Sequence, residues 1–271
     1  WGIFGNYLGH ITGILIALPF ATGAITLWGS PGRAQAFIPA VVIFILSTLP
    51  MILLFKEKSI REQVRVNIAD EYKNAFRSFI NLYRESKLGY FFLAYFFFND
   101  AVITASNNFP IYLEKVFSAS DYIKSLILIG ILLTSVIGSP ISGWIADRIG
   151  IKKTLRGVLI CWTVLFPLMA ITTNFTFFIF LSMLMGLWFG AVWTVARAYL
   201  AKNVPNNKLN LSFSYYTIIE RFATFVGPIS WGLIVSLAPH TNAINYRIAA
   251  FSMAIFVFIG FLVSKKIPDR N

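Results

Sequence analysis

The chain has 271 residues, of which 57% are hydrophobic and only 13% are charged. Soluble domains carry about 25% charged residues, so this composition excludes a soluble enzyme. The net charge of +12 would suit nucleic acid, but the basic residues cluster between long neutral runs, which is typical of a membrane protein. One Cys and two His predict neither a disulfide framework nor a metal or cofactor site.

Eight runs with few or no charged residues are long enough to cross a bilayer core, which takes about 20 apolar residues in a helix. In chain order they are 4–29, 34–55, 88–113, 122–146, two spans within 157–196, 209–237 and 246–264. The run 157–196 is too long for one span, and Thr172-Thr173-Asn174 predicts the turn that divides it. The sequence therefore predicts an all-α polytopic membrane protein.

The segment 56–87 is the longest polar stretch, and its apolar residues recur every three or four positions. That spacing predicts an amphipathic helix along the cytoplasmic membrane surface; the alternative is a solvated linker. Placing this segment inside puts 18 of the 23 Lys and Arg residues on one side of the eight spans and four on the other. We therefore expect both chain ends in the cytoplasm.

The segment 143–153, between the fourth and fifth spans, reads GWIADRIGIKK. It resembles the signature loop of the major facilitator superfamily. The positions that carry the resemblance are Gly143, Asp147, Arg148, Gly150, Lys152 and Lys153. Gly143 would allow close helix approach, Gly150 a tight turn, and the two lysines would hold the loop in the cytoplasm.

The resemblance implies a major facilitator fold with eight of twelve transmembrane helices present. In that superfamily a long cytoplasmic loop joins helices six and seven, and a second signature follows helix eight. The eight spans then resemble helices five to twelve of a longer protein, of which this chain is a fragment. Residues 1–55 would be the last two helices of the N-terminal bundle, 56–87 the linker, and 88–271 the C-terminal six-helix bundle.

Four segments resemble the vacuole-effluxer (autophagy-related) branch of that superfamily. They are GNYLG at 5–9, LAYFFFND at 93–100, GLWFGAVWTVAR at 186–197 and FVGP at 225–228. Two positions depart from the branch pattern, since Ala101 replaces a Gly and Trp193 replaces a Gln. The branch resemblance implies export of amino acids or similar small solutes, and it places Trp193 on the solute path.

Charged residues at membrane depth are costly, so they are functional candidates. Asp100 lies about 18 Å into its span at 1.5 Å per residue. It is a candidate proton carrier or partner of a cationic solute, and the alternative is a structural ion pair. Glu220 and Arg221 are adjacent on the seventh span, point about 100° apart on a helix, and each needs its own partner. Arg221 could meet Asp100, or both residues could be structural.

Two further features lie at the ends of predicted spans. Asn107 and Asn108 precede Pro110, which we expect to disrupt the helix near its outer end, where the two amides would line a gate or a frayed end. Arg197 ends its span at the cytoplasmic face, where position alone predicts a membrane anchor. The family resemblance implies a gate residue there, beside the signature loop.

We expect a secondary active transporter that moves a small solute by alternating access, with protons as the candidate coupling ion. The alternative is a sensor or scaffold of the same fold that does not transport. A membrane enzyme is a weaker third alternative, because it would need a catalytic cluster and none occurs at short spacing. The expected partners are the lipid bilayer and the solute, without nucleic acid. We expect the full-length protein to be monomeric and to lie in a plasma or bacterial inner membrane.

Overall fold

The computed structural model describes residues 2–30, 32–55, 77, 88–205, 208–237 and 243–267. Eight long helices and one short 3₁₀ helix, Arg33–Ala36, occupy these residues, and none of them lies in a strand. The long helices are α1 (Gly2–Ala21), α2 (Phe37–Leu54), α3 (Leu88–Phe117), α4 (Asp121–Ile149), α5 (Ile151–Ile171), α6 (Phe175–Asn203), α7 (Leu209–Ser236) and α8 (Ala243–Ser264). The predicted all-α class is confirmed.

Seven of these helices, all but α1, are long and apolar enough to cross a membrane. Such runs become helices because lipid offers no partner to backbone polar groups, and a helix satisfies them within one segment. The predicted first span, 4–29, was too long, since α1 ends at Ala21. Gly23 follows with φ +80° and its amide bonds the carbonyl of Phe20 at 3.2 Å, which is how a glycine ends a helix.

Two small residues, Asn174 and Gly150, fix the connections between helices. Asn174 caps α6 by accepting a hydrogen bond from the amide of Phe177 at 3.0 Å, so the predicted turn at 172–174 is confirmed. Gly150 is the single residue between α4 and α5 and has φ +97°. The predicted signature loop is therefore mostly helical, with Lys152 and Lys153 in the first turn of α5.

The chain divides into two compact units, Trp1–Leu8 with Phe79–Asn271, and Gly9–Ser78. In the second unit, the Gln35 side chain accepts hydrogen bonds from the amides of Leu27 and Trp28 and donates one to the carbonyl of Ser30. Those bonds tie the segment after α1 to the 3₁₀ helix. The predicted amphipathic segment 56–87 lies outside the described residues, apart from Arg77.

In the first unit, α4 and α6 pack most closely. A Cβ at Gly138, Gly186 or Gly190 would collide with the backbone of the facing helix. Ser135 Oγ donates to the carbonyl of Gly186 at 2.8 Å across the same contact. Gly143, predicted to allow close helix approach, has no other described helix within 4 Å of a Cβ built there. The glycines that hold α4 against α6 lie deeper in the bundle.

Candidate functional site

Asp100 lies inside the six-helix bundle. It is fully buried on α3, and a Cβ built at Gly227 of α7 would lie 2.8 Å from its Oδ1 atom. The backbone amide of Gly227 faces the carboxylate, but neither carboxylate oxygen has a hydrogen bond in the described part of the chain. Thr104, one turn further along α3, is also fully buried, and its hydroxyl is likewise without a bond there.

Asn99 joins α3 to α6 beside Asp100. The indole Nε1 of Trp193 donates to Asn99 Oδ1 at 2.8 Å, and the Asn99 side chain is fully buried. Trp193 also packs edge-on against Phe189, with ring centroids 4.5 Å apart. The structure thus links the predicted pathway residue Trp193 to Asn99, the sequence neighbour of Asp100 and a residue that the sequence analysis did not select.

Two stacked tyrosines continue the site towards the end of α7 near Leu209. The rings of Tyr95 on α3 and Tyr216 on α7 stack with centroids 4.1 Å apart, and both are buried. The guanidinium carbon of Arg197 lies 5.9 Å from the centre of the Tyr216 ring. Glu220 interacts electrostatically with both tyrosines. Arg197 and Glu220, predicted separately as gate and pathway residues, therefore lie beside one aromatic pair.

Sequence reasoning missed Tyr95, Asn99, Thr104 and Tyr216. On α3 the pairs Tyr95–Asn99 and Asp100–Thr104 are each four residues apart, which places the two members of each pair on the same face of the helix. The polar residues of one helical face are a signal that the sequence carries. Their pairing with Tyr216 and Trp193 depends on helix packing, which the sequence pattern does not contain.

The pairing of Arg221 with Asp100 that the sequence left open does not occur. Arg221 is exposed on α7, while Asp100 is inside the bundle. Glu220 is half-buried, and no ion pair joins Glu220 and Arg221 to the described residues. Arg221 therefore lies on an open face of this unit near the middle of a span.

The paired asparagines differ in their surroundings. Asn107 is exposed, whereas Asn108 is half-buried and donates to the carbonyl of Thr104 at 2.8 Å. The predicted disruption at Pro110 was wrong, because α3 continues to Phe117. Proline removes one backbone bond, and the helix resumes because its following residues are packed into the core, as Tyr112 and Leu113 are. The two amides therefore lie on a continuous helix.

At the α4–α5 junction, Asp147, Arg148 and Lys153 are exposed and Lys152 is half-buried. Arg148 lies over the ring of Trp144, with its guanidinium carbon 3.8 Å from the centroid. These charged groups surround the Gly150 turn and stand apart from the buried site around Asp100. In the described ranges, no three His, Cys, Asp or Glu side chains come together to form a metal site.

Comparison with known proteins agrees with this architecture. The MFS-type transporter YxiO of Bacillus subtilis (strain 168), itself uncharacterized, is 26% identical over 277 residues, which cover 100% of this chain and 62% of YxiO. A putative multidrug resistance protein, MdtD of Yersinia pestis (strain Pestoides F), is 27% identical over 112 residues, covering 41% of this chain and 24% of MdtD. This chain therefore spans less than two thirds of the length of these relatives.

A crystal structure of a mutant of the nucleoside transporter NupG superposes with a TM-score of 0.73. It covers 97% of this chain and 66% of the NupG chain at 14% sequence identity, a likeness of fold. The sequence model of the Major Facilitator Superfamily matches residues 90–271, which include α4 to α8 and nearly all of α3. This integral membrane protein therefore belongs to the Major Facilitator Superfamily.

Proposed function

We propose that this chain is part of a secondary active transporter that moves a small solute across a membrane by alternating access. Membership of a transporter superfamily favours transport over catalysis. The observation that carries the proposal is the exposure of Arg221 on α7. Arg221 lies twelve residues after Leu209, about 18 Å along the helix at 1.5 Å per residue. A charged side chain at that depth faces water or a partner, because contact with lipid is too costly.

The exposed α7 face around Arg221 fits a solute path. Thr217 lies one turn before Arg221 and is also exposed, and Glu220 is half-buried beside it. An open face with polar groups near the middle of a span is what a solute path through the membrane requires. Asn107, exposed on α3, is a further polar group for the same path.

The chain corresponds to helices five to twelve of a twelve-helix protein in this proposal. Its coverage of YxiO and NupG, 62% and 66%, is close to eight helices of twelve. Residues 1–55 then complete the N-terminal bundle, and 88–271 form the C-terminal bundle. The clustering of basic residues supports cytoplasmic chain ends, and the bacterial relatives support an inner membrane. We expect the full-length protein to act as a monomer.

For the solute we propose an amino acid or a similar small zwitterion, in line with the vacuole-effluxer resemblance. Glu220 and Arg221 offer opposite charges on adjacent residues, which suits an ammonium group and a carboxylate on one molecule. The names of two similar proteins indicate other solutes. NupG is a nucleoside transporter, and MdtD is a putative multidrug resistance protein. Asp100 is the proposed proton carrier, because it is a fully buried carboxylate near the middle of its span.

Counterflow in liposomes tests this function. The full-length protein is reconstituted, loaded with an unlabelled solute, and given the same solute in labelled form outside. The panel contains amino acids, nucleosides and cationic drugs. We expect accumulation of labelled amino acid without any pH gradient. A sensor or scaffold of the same fold would bind a solute without exchanging it, and binding without exchange for the whole panel would contradict transport.

The coupling is tested on the same liposomes. An imposed pH gradient should drive uptake in the unmodified protein, whereas Asp100→Asn should exchange solute but no longer respond to the gradient. Asp121→Asn, an exposed aspartate in the first turn of α4 that pairs with Lys124, is the matched control and should keep the response. Uptake that ignores the gradient in the unmodified protein would contradict proton coupling and leave transport standing.

A further inference from the structure

Unpartnered polar atoms in the bundle concentrate between α3 and α7. In the described part of the chain, seven side chains have buried polar atoms without a hydrogen bond, and six of them lie on these two helices. The exception is Arg156 on α5. We name the six residues the α3–α7 polar seam, and its members are Tyr95, Asn99, Asp100, Thr104, Ser212 and Tyr216.

The seam runs along the helices. On α3 it extends from Tyr95 to Thr104, about 13 Å at 1.5 Å per residue. On α7 it begins at Ser212, in the first turn of the helix, and continues through Tyr216 to Gly227, which faces Asp100. It therefore leads from Asp100, near the middle of its span, to the end of α7 that the proposed orientation places in the cytoplasm.

Buried polar groups without partners are rare in native structures, and a cluster of them requires an explanation. Ordered water bonded to such groups is the usual one, where the groups are polar and close enough to share it. Four members carry hydroxyl groups, which can donate and accept a proton at once: Tyr95, Thr104, Ser212 and Tyr216. The side chains of Tyr95 and Tyr216 also interact with each other. Hydroxyl groups bridged by water in a row from a buried carboxylate form a path for protons.

We propose that the α3–α7 polar seam conducts protons between Asp100 and the cytoplasmic end of α7. The inference rests on the proposed function, in which Asp100 carries the coupling proton. At each step one O–H bond breaks as another forms, so each tyrosine and serine hydroxyl is neutral before and after. At the inner end the proton converts the Asp100 carboxylate to a carboxylic acid, and nothing is oxidised or reduced.

A proton fits the seam better than a metal cation. On the α7 side the backbone of Gly227 packs directly against Asp100 and Thr104, since a Cβ there would collide with both side chains. A hard cation needs several oxygen ligands arranged around an open space, whereas a proton needs none. Gly227 would thus exclude a cation while leaving the carboxylate able to accept a proton.

The charged groups around the seam lie on its cytoplasmic half. Arg197 of α6 and Glu220 of α7 interact electrostatically with Tyr95 and Tyr216. Tyr7 of α1 also interacts with Arg197. On α8, the residue that packs against α3 here is the uncharged Gly260, which lies close to Ala94 and Phe98. A cation and an anion therefore lie beside the two tyrosines of the path.

Infrared spectroscopy tests the seam without any solute. In the full-length protein in liposomes, the carboxyl band that Asp100→Asn abolishes reports protonation of Asp100 after a rapid acid step. The test variant is Tyr95→Phe with Tyr216→Phe, which removes two hydroxyl groups and keeps the stacked rings. The matched control is Tyr112→Phe, a buried tyrosine on α3 outside the seam whose hydroxyl donates to the carbonyl of Met169 at 3.2 Å. Thermal unfolding confirms that each variant is folded.

We expect protonation of Asp100 to slow by about tenfold or more in the double variant and to stay near the unmodified rate in Tyr112→Phe. An unchanged rate in the double variant, or equal slowing in the control, would overturn the seam. So would an Asp100 band that ignores the acid step or responds to Na⁺ at fixed pH. Counterflow on the same liposomes measures transport separately, because solute exchange needs no net proton movement. A failed seam and a failed transport function therefore give different results.

Discussion

Gly227 of α7 packs directly against Asp100 of α3, so closely that a Cβ at Gly227 would lie 2.8 Å from Asp100 Oδ1. This contact holds a fully buried carboxylate against a neighbouring helix at the point where α7 departs from ideal geometry. Thr224 has ψ 20°, and Pro228 supplies no amide proton to the carbonyl of Thr224. A change of charge on Asp100 would therefore act first on the kinked part of α7.

Gly227→Ala should destabilise the protein, because the added methyl group collides with Asp100 and with Thr104. Overpacking of this kind costs about 1–3 kcal/mol of unfolding free energy. Thermal unfolding in detergent measures the effect. Gly232→Ala is the matched control on the same helix, since nothing in the described residues lies within 4 Å of a Cβ there. Equal stability of the two variants would contradict the close contact.

Asp100→Asn should leave the free energy of unfolding unchanged or raise it at neutral pH. The substitution removes a buried charge that has no hydrogen bond in the described part of the chain, and it keeps the shape of the side chain. Thermal unfolding checks the direction. A loss of more than about 2 kcal/mol would show that Asp100 has an ionic partner beyond the described residues.

Trp193→Phe should destabilise the bundle by about 1–3 kcal/mol, because it removes the only hydrogen bond of a buried side chain, Asn99, found in the described residues. Trp188→Phe on the same helix is the control for loss of indole volume. The backbone carbonyl of Trp188 accepts a hydrogen bond from Trp162 Nε1 at 3.4 Å, and that bond is kept in the phenylalanine variant. Unfolding curves of the two variants should differ, and identical curves would contradict a structural role for the bond.

Arg221→Gln should lower solute counterflow by about tenfold or more, since a charged contact to solute contributes more than 1 kcal/mol. It should leave thermal unfolding almost unchanged, because Arg221 is exposed in this unit. Lys202→Gln, an exposed basic residue near the end of α6, should change neither property. Undiminished counterflow in Arg221→Gln would remove Arg221 from the solute path.

The sequence predicted the helices better than their contacts. The turn at 172–174 was predictable because Asn174 is a strong capping residue, and the Gly150 turn because glycine accepts positive φ. The length of α1 was wrong because apolar character alone ignores the turn residues Thr22 and Gly23. Pro110 was expected to disrupt its helix, but the helix continues because the residues that follow are packed into the core.

Tertiary contacts explain the remaining differences. Gly143 was expected to bring two helices together, but Gly138, Gly186 and Gly190 do so, since only the rotation of α4 against α6 decides which glycine faces a neighbour. Asp100, Trp193, Arg197 and Glu220 were each selected for residue type and depth. Their arrangement around Asn99, Tyr95 and Tyr216 depends on the packing of α3, α6 and α7.

Thiol labelling at Thr217 tests the central claim, alternating access to the α7 face, most directly. In the full-length protein with Cys161→Ser, Thr217→Cys puts a thiol one turn from Arg221 on the exposed face, and Ala249→Cys puts one in the fully buried core. We expect a membrane-impermeant thiol reagent to label Thr217→Cys from each side of the membrane in turn, with solute altering the rate, and to leave Ala249→Cys unlabelled. Labelling from neither side, or from one side only under all conditions, would contradict alternating access.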